Sequence, residues 1–136
     1  MSSSSRAAAA IVSLAGRCLL AALFLVSAIR SLDAVSGTAG YLGRLGVPLP
    51  GIAAWLVIAV EIVCAAMLIA GWRARLAAWA LIAFVVVATL LAHRFWSVDA
   101  AQYVNQLNHF LKNLAVIGGL LLVAVHGPGR LALDSR

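Results

Sequence analysis

The chain has 136 residues, of which 65% are hydrophobic and only 10% charged, and its mean hydropathy is +1.08. A water-soluble domain of this size cannot hide so much apolar surface, so the composition excludes an ordinary soluble enzyme and makes a bilayer the solvent. The formal net charge of +6 collects at the ends of apolar runs, where basic residues orient membrane spans and meet anionic headgroups, so membrane lipids rather than nucleic acid are the expected contacts.

The N-terminal stretch opens with Arg6 and an apolar run from Ala7 to Ala28, the outline of a secretory signal. Arg17 interrupts that run, and it also stands where a lipoprotein box, approached by Leu14-Ala15-Gly16, needs its cysteine. A retained first helix is therefore expected. Four apolar spans follow in order, at about 11–32, 51–71, 76–93 and 107–126, each near the roughly 20 residues that cross about 30 Å of hydrocarbon.

Turn chemistry separates the spans. Leu45-Gly46-Val47-Pro48-Leu49-Pro50 closes the first connection, Gly71-Trp72-Arg73-Ala74-Arg75 makes a tight second one, and Gly127-Pro128-Gly129 stops the last helix. The short second connection forces spans two and three to be antiparallel neighbours, which predicts an all-α, up-and-down, four-helix transmembrane bundle, one domain over 1–136. Within the long first connection, Val35, Ala39, Leu42 and Leu45 recur at nearly helical spacing and predict a short helix on the membrane surface. The third connection carries Phe95, Trp96 and Tyr103, and Trp55, Trp72 and Trp79 suit the headgroup layer as anchors.

Placing both termini in the cytoplasm puts Arg6, Arg73, Arg75, Arg130 and Arg136 there, with Arg17 snorkelling to the same side. The opposite side then holds Arg30, Arg44, Arg94 and Lys112, so the basic residues favour cytoplasmic N- and C-termini.

Ionisable groups at membrane depth cost about 2.5–3.5 kcal/mol each at a helix centre, and they generally face protein. Glu61 stands near the middle of span two. Arg17, at an axial offset from it of about 6 Å by helical rise, and Lys112 are its candidate partners in an intramembrane ion-pair network that pins helix register. On span four, Asn105, His109, Lys112, Val116 and Gly119 share one face by their three- and four-residue spacing. The competing expectation is a pocket: Glu61, His93, His109, Lys112 and Asn113, with Thr89 and Arg30 nearby, opening toward the long connections to hold the polar head of a quinone or another amphipathic molecule. Gly118-Gly119 and the many alanines suit close helix approach. Cys18 and Cys64 lie in apolar runs without a CxxC and are expected as filler, and His93 and His109 lack the acidic or thiol partners of a metal site. No catalytic arrangement is visible, and His126 is expected as a polar helix terminus.

Several stretches resemble the DoxX family of small four-helix membrane proteins. They are Phe110-Leu111-Lys112-Asn113-Leu114, then Ile117-Gly118-Gly119-Leu120 and Gly127-Pro128-Gly129-Arg130-Leu131 with Asp134. Upstream, Leu45-Gly46-Val47-Pro48, Glu61, Gly71 with Arg75, and His93-Arg94-Phe95-Trp96 fall in that family's order, so the resemblance covers about 11–134. Ala28, Arg30 and Ala65 stand where the family pattern has Gly, Lys and Gly. The resemblance implies a bacterial inner-membrane location, and Glu61, His93, Lys112 and Asn113 as the positions that matter. It further implies a non-catalytic subunit or scaffold of a quinone-linked or oxidative-stress redox system, with a redox enzyme or another membrane subunit as partner. A small-solute carrier, a membrane-protein assembly factor and a homo-oligomer stay open beside it.

Overall fold

The computed structural model describes residues 2–134, which form α1 (Ser3–Asp33), α2 (Val35–Arg44), α3 (Pro50–Ala70), α4 (Ala74–Ala92) and α5 (Ala100–His126), with one 3-10 turn at Phe95–Ser97. Arg136, counted above with the terminal arginines, lies outside the described residues. The helices α1, α3, α4 and α5 are each long and apolar enough to cross a membrane. They run up and down, α1 packing on α3, α3 on α4 and α4 on α5, while α1 and α5 meet along a much looser seam. The protein is a multi-pass, all-α membrane bundle, with a terminal face that carries both chain ends and a loop face that carries α2 and the α4–α5 connection.

Two helices begin earlier than hydropathy predicts. The Ser2 hydroxyl accepts from the Ser5 N–H, and the alanine run that follows has the highest helix propensity, so α1 starts at Ser3 rather than near Ile11. Asp99 likewise caps α5 by accepting from the Gln102 N–H at 3.0 Å, which starts that helix at Ala100 rather than near Leu107. Charged and polar first turns carry little hydropathy, but the caps mark them.

The expected surface helix is α2. Its half-buried residues Val35, Thr38, Ala39 and Leu42, continued by Leu45, turn toward α3 and α1, with no side-chain cap at its N-terminus. The core is built from small residues, Ala21, Ala28, Ala54, Ala65, Ala77 and Ala78, around Phe24, Ile58, Leu68, Leu81 and Leu120. Lipid removes the hydrophobic drive between helices, so close approach and dispersion hold them together. Leu19, Val63, Val87 and Leu122 face outward and become lipid contacts. Trp55, Trp72 and Trp79 are also exposed, while Cys64 is buried in the core and Cys18 is half-buried.

The terminal face is sealed by the chain's own tail. After α5, the segment from Gly127 crosses the ends of α1 and α3: the Leu133 N–H donates to the Ala70 carbonyl at 3.0 Å and the Asp134 N–H to that of Gly71 at 3.2 Å. Asp134 Oδ2 in turn accepts from the Arg73 N–H at 2.6 Å, and the Ser13 hydroxyl donates to the Pro128 carbonyl at 3.0 Å. The first two satisfy carbonyls at the C-terminus of α3, and the Asp134 carboxylate satisfies an N–H at the start of α4.

Gly71 is the pivot of this seal. It adopts φ of +67° as the left-handed cap of α3, with the Trp72 N–H returning to the Met67 carbonyl in a Schellman closure. A methyl group there would run into the Ala132 side chain and stand 2.8 Å from both the Ala132 Cα and the Arg17 guanidinium. Gly71→Ala is therefore expected to lower stability by about 2 kcal/mol or more, through both the backbone conformation and the clash, checked as the thermal midpoint of the detergent-extracted protein.

Candidate functional site

Arg17 lies 1% exposed on α1 and does not reach Glu61. Its guanidinium donates to the carbonyls of Leu68 at 2.7 Å and Ile69 at 2.9 Å, and to the Leu131 carbonyl of the tail. The reason is register. Leu68 and Ile69 stand seven and eight residues beyond Glu61 on α3, which is about 10–12 Å along the axis rather than the expected 6 Å. At that depth the cation meets the negative end of the α3 dipole, a partner available without desolvating a carboxylate. The expected Arg17–Glu61–Lys112 network is accordingly not formed: Lys112 Nζ instead lies 3.4 Å from His109 Nδ1, and one Glu61 oxygen, Oε2, is buried with no partner.

Glu61 faces the loop half of the bundle. It is 3% exposed on α3 and lines a cavity of about 590 Å³ that lies beneath α2. The floor and sides are apolar, from Phe24, Val57, Phe84 and Val85, and α2 contributes Thr38, Tyr41 and Leu42 as a roof. Polar groups converge from every other helix: Ser27 and Arg30 from α1, Glu61 from α3, His93 from the end of α4, and Lys112 and Asn113 from α5. Ser27 and Glu61 line the same side of the cavity.

Two chains of hydrogen bonds brace this wall. Asn113 Nδ2 donates to the Thr89 hydroxyl at 2.8 Å, which donates to the Val85 carbonyl at 2.6 Å and ties α5 to the last turn of α4. His93 Nδ1 lies 2.9 Å from Gln106 Oε1, and the His93 and His109 rings stack with centroids 4.9 Å apart and 18° between planes. Stacked in this way the imidazoles present faces, not converging lone pairs, to each other. Above them Phe95 packs edge-on against Trp96, Tyr103 and Phe110, an aromatic clamp that fixes the α4–α5 connection.

Of the five candidate ligand residues, Glu61, His93, Lys112 and Asn113 line the cavity, while His109 supports it from behind through His93 and Lys112. The predicted stripe on α5 is rotated from the buried face. Asn105 and Lys112 are exposed, and burial runs through Asn113, Ile117, Leu120 and Ala124, because lysine can lie at a helix edge and extend its amine. Gly119 does approach α1, where a methyl group would stand 3.1 Å from Leu20, whereas Gly118 faces open space. Hydropathy gave no hint of Ser27, Tyr41 or Gln106. The capping pattern Asp99-Ala100-Ala101-Gln102 would have placed Gln106 on a helix one turn above His109.

The DoxX family model matches residues 12–94, which spans α1 to α4 and includes Glu61 and His93. This chain belongs to the DoxX family. The fullest motifs of the resemblance lay in α5, yet the family match ends before that helix. Two relatives do span nearly the whole chain. It is 27% identical over 130 residues to Inner membrane protein YphA of Escherichia coli strain K12, covering 96% of this chain and 93% of that one. It is 32% identical over 121 residues to Inner membrane protein YqjF of the same strain, covering 89% and 88%. A Surfeit locus protein 4 homolog of Schizosaccharomyces pombe is 29% identical over 83 residues, 60% of this chain but 28% of that protein. No solved structure matches.

Proposed function

We propose that this DoxX-family protein is a non-catalytic subunit or scaffold of a membrane redox system, and that its loop-face cavity holds the polar head of a lipophilic molecule of the quinone class. The observation that carries this reading is Glu61, a mid-membrane carboxyl with an unpartnered oxygen at the wall of a cavity whose floor and sides are apolar. A buried polar group without a partner is costly, and a ligand that supplies one is bound in proportion to that cost. Quinone carbonyl oxygens can accept from Lys112 and Arg30, quinol hydroxyls can donate to Glu61, and an isoprenoid tail suits the lining from Phe24, Val57 and Phe84.

The cavity favours holding a ligand over passing it across. Arg17 and the C-terminal tail tie off the terminal face beneath Glu61, so a solute entering from the loop face would meet a bonded plug. The inner-membrane names of the two Escherichia coli relatives support an inner-membrane location for this chain, and the arginine distribution supports cytoplasmic termini.

Extraction of the tagged protein from its own membranes in mild detergent tests the proposal, with mass spectrometry of both the organic extract and the copurifying proteins. The expected result is a quinone near one per chain, or an oxidoreductase subunit, with the quinone lost in Glu61→Leu. A clean preparation that carries neither would overturn it.

A further inference from the structure

The loose seam between α1 and α5 opens into a groove of about 400 Å³ on the terminal half of the bundle, remote from the cavity at Glu61. Its walls are Gly16 and Leu20 of α1 and Gly119, Leu122 and Val123 of α5. At its deep end Leu20 closes over Gly119, and from there the groove runs to Ser13, His126 and Gly127 near the end of α5. A methyl group at Gly16 would meet no atom within 4 Å, so the absence of a side chain there leaves space rather than allowing a helix to approach.

The groove has a polar end that lacks a partner. Arg17 lines it, and although the terminal guanidinium nitrogens are bonded to carbonyls, the Nε–H is buried with no acceptor. The Arg75 guanidinium packs against Gly127 at the mouth, about 3.2 Å from where a side chain there would begin, with the exposed His126 beside it. An apolar slot as long as two helical turns, a donor without an acceptor at the depth where α3 ends, and a cation at the rim match the parts of one membrane lipid.

We propose that the α1–α5 groove is a binding slot for one anionic phospholipid, with an acyl chain over Gly16 and Gly119, an ester or phosphate oxygen on the Arg17 Nε–H, and the headgroup at Arg75. The slot lies on the opposite face from the cavity, so the proposal stands apart from the quinone reading. The lipid fills the weakest seam of the bundle and completes the bonding of its most buried cation.

Native mass spectrometry of the detergent-solubilised protein tests this, with phosphatidylglycerol and phosphatidylcholine of identical acyl chains added in turn. The expected result is a single phosphatidylglycerol adduct, about fivefold preferred over phosphatidylcholine, the effect of one basic side chain near a lipid headgroup. Gly16→Leu and Leu122→Trp fill the slot from opposite walls without touching the core and are each expected to remove the adduct. Arg75→Gln should keep lipid binding but erase the headgroup preference. Equal adducts on wild type and both slot-filling variants would overturn the proposal. So would a lipid-free dimer that Gly16→Leu dissociates, which would give the groove to a second copy of the chain.

Discussion

Replacing Arg17 with methionine is expected to cost about 3–5 kcal/mol of stability, enough to lower the thermal midpoint of the extracted protein by many degrees or to prevent its accumulation. The side chain is 1% exposed and joins three separated parts of the sequence, donating from α1 to the Leu68 and Ile69 carbonyls of α3 and to Leu131 of the tail. Hydrogen bonds from a charged donor contribute about 1.5–3 kcal/mol each, and they do not simply add when one group makes all of them. Methionine fills much of the same volume but leaves the Ile69 and Leu131 carbonyls without this donor, and Leu68 with only the Gly71 N–H, at a depth where water is scarce. Lysine keeps the charge at the end of the α3 dipole but loses the planar fork, so Arg17→Lys is expected to recover only part of the loss. Thermal unfolding of the three proteins side by side checks the order Arg above Lys above Met. Equal midpoints would show that the clamp carries no weight.

The same comparison separates two accounts of the buried charges. If Arg17 were paired with Glu61, removing either partner would strand the other, and Glu61→Gln would be as damaging as Arg17→Met. With Arg17 bonded to carbonyls and Glu61 Oε2 unpartnered, the two substitutions should differ sharply, and Glu61→Gln should unfold near the wild-type temperature.

Why the sequence showed the spans but not this clamp is a matter of what hydropathy measures. Lipid forces each backbone polar group to bond within its own helix, so long apolar runs with turn residues between them leave little choice of fold. The surface helix was legible for a related reason, since the spacing of Val35, Ala39, Leu42 and Leu45 is that of a one-sided helix. Axial register is different. It depends on how far α1 runs past the end of α3, and with the helix starting at Ser3 outside the hydrophobic window, Arg17 sits at the level of Leu68, about 5 Å further from Glu61 than the span ends imply. The tail was illegible as well, because apart from the Asp134 carboxylate it bonds through backbone groups of Leu131, Leu133 and Asp134 that any sequence possesses. At the cavity, Glu61, His93, Lys112 and Asn113 stood out as polar groups where polarity is costly. Ser27 and Tyr41 are ordinary in a membrane helix or a surface helix, and only the packing of α1 and α2 brings them to the same wall.

Glu61→Leu is expected to weaken binding of a short-tailed quinol by about 10–100-fold while the protein stays folded, the loss that follows from removing one strong buried hydrogen-bonding partner. Leucine is close to glutamate in size, and the carboxyl has no salt bridge to strand, so the bundle leaves no charged partner behind and gains an apolar side chain beside the apolar lining. Glu61→Gln should fall between the two, since its amide keeps an acceptor oxygen but replaces the other with a donor that a quinol hydroxyl meets less well. Lys112→Met, at the exposed edge of α5, removes a donor rather than an acceptor, so it should weaken the oxidised quinone more than the quinol. Titration of each variant with both redox forms, followed by quenching of the protein's tryptophan fluorescence, separates these outcomes. The opposite preferences expected of Glu61→Leu and Lys112→Met are what distinguish a head group seated between a carboxyl and an amine from a tail partitioned into the apolar lining, because partitioning would respond to neither change.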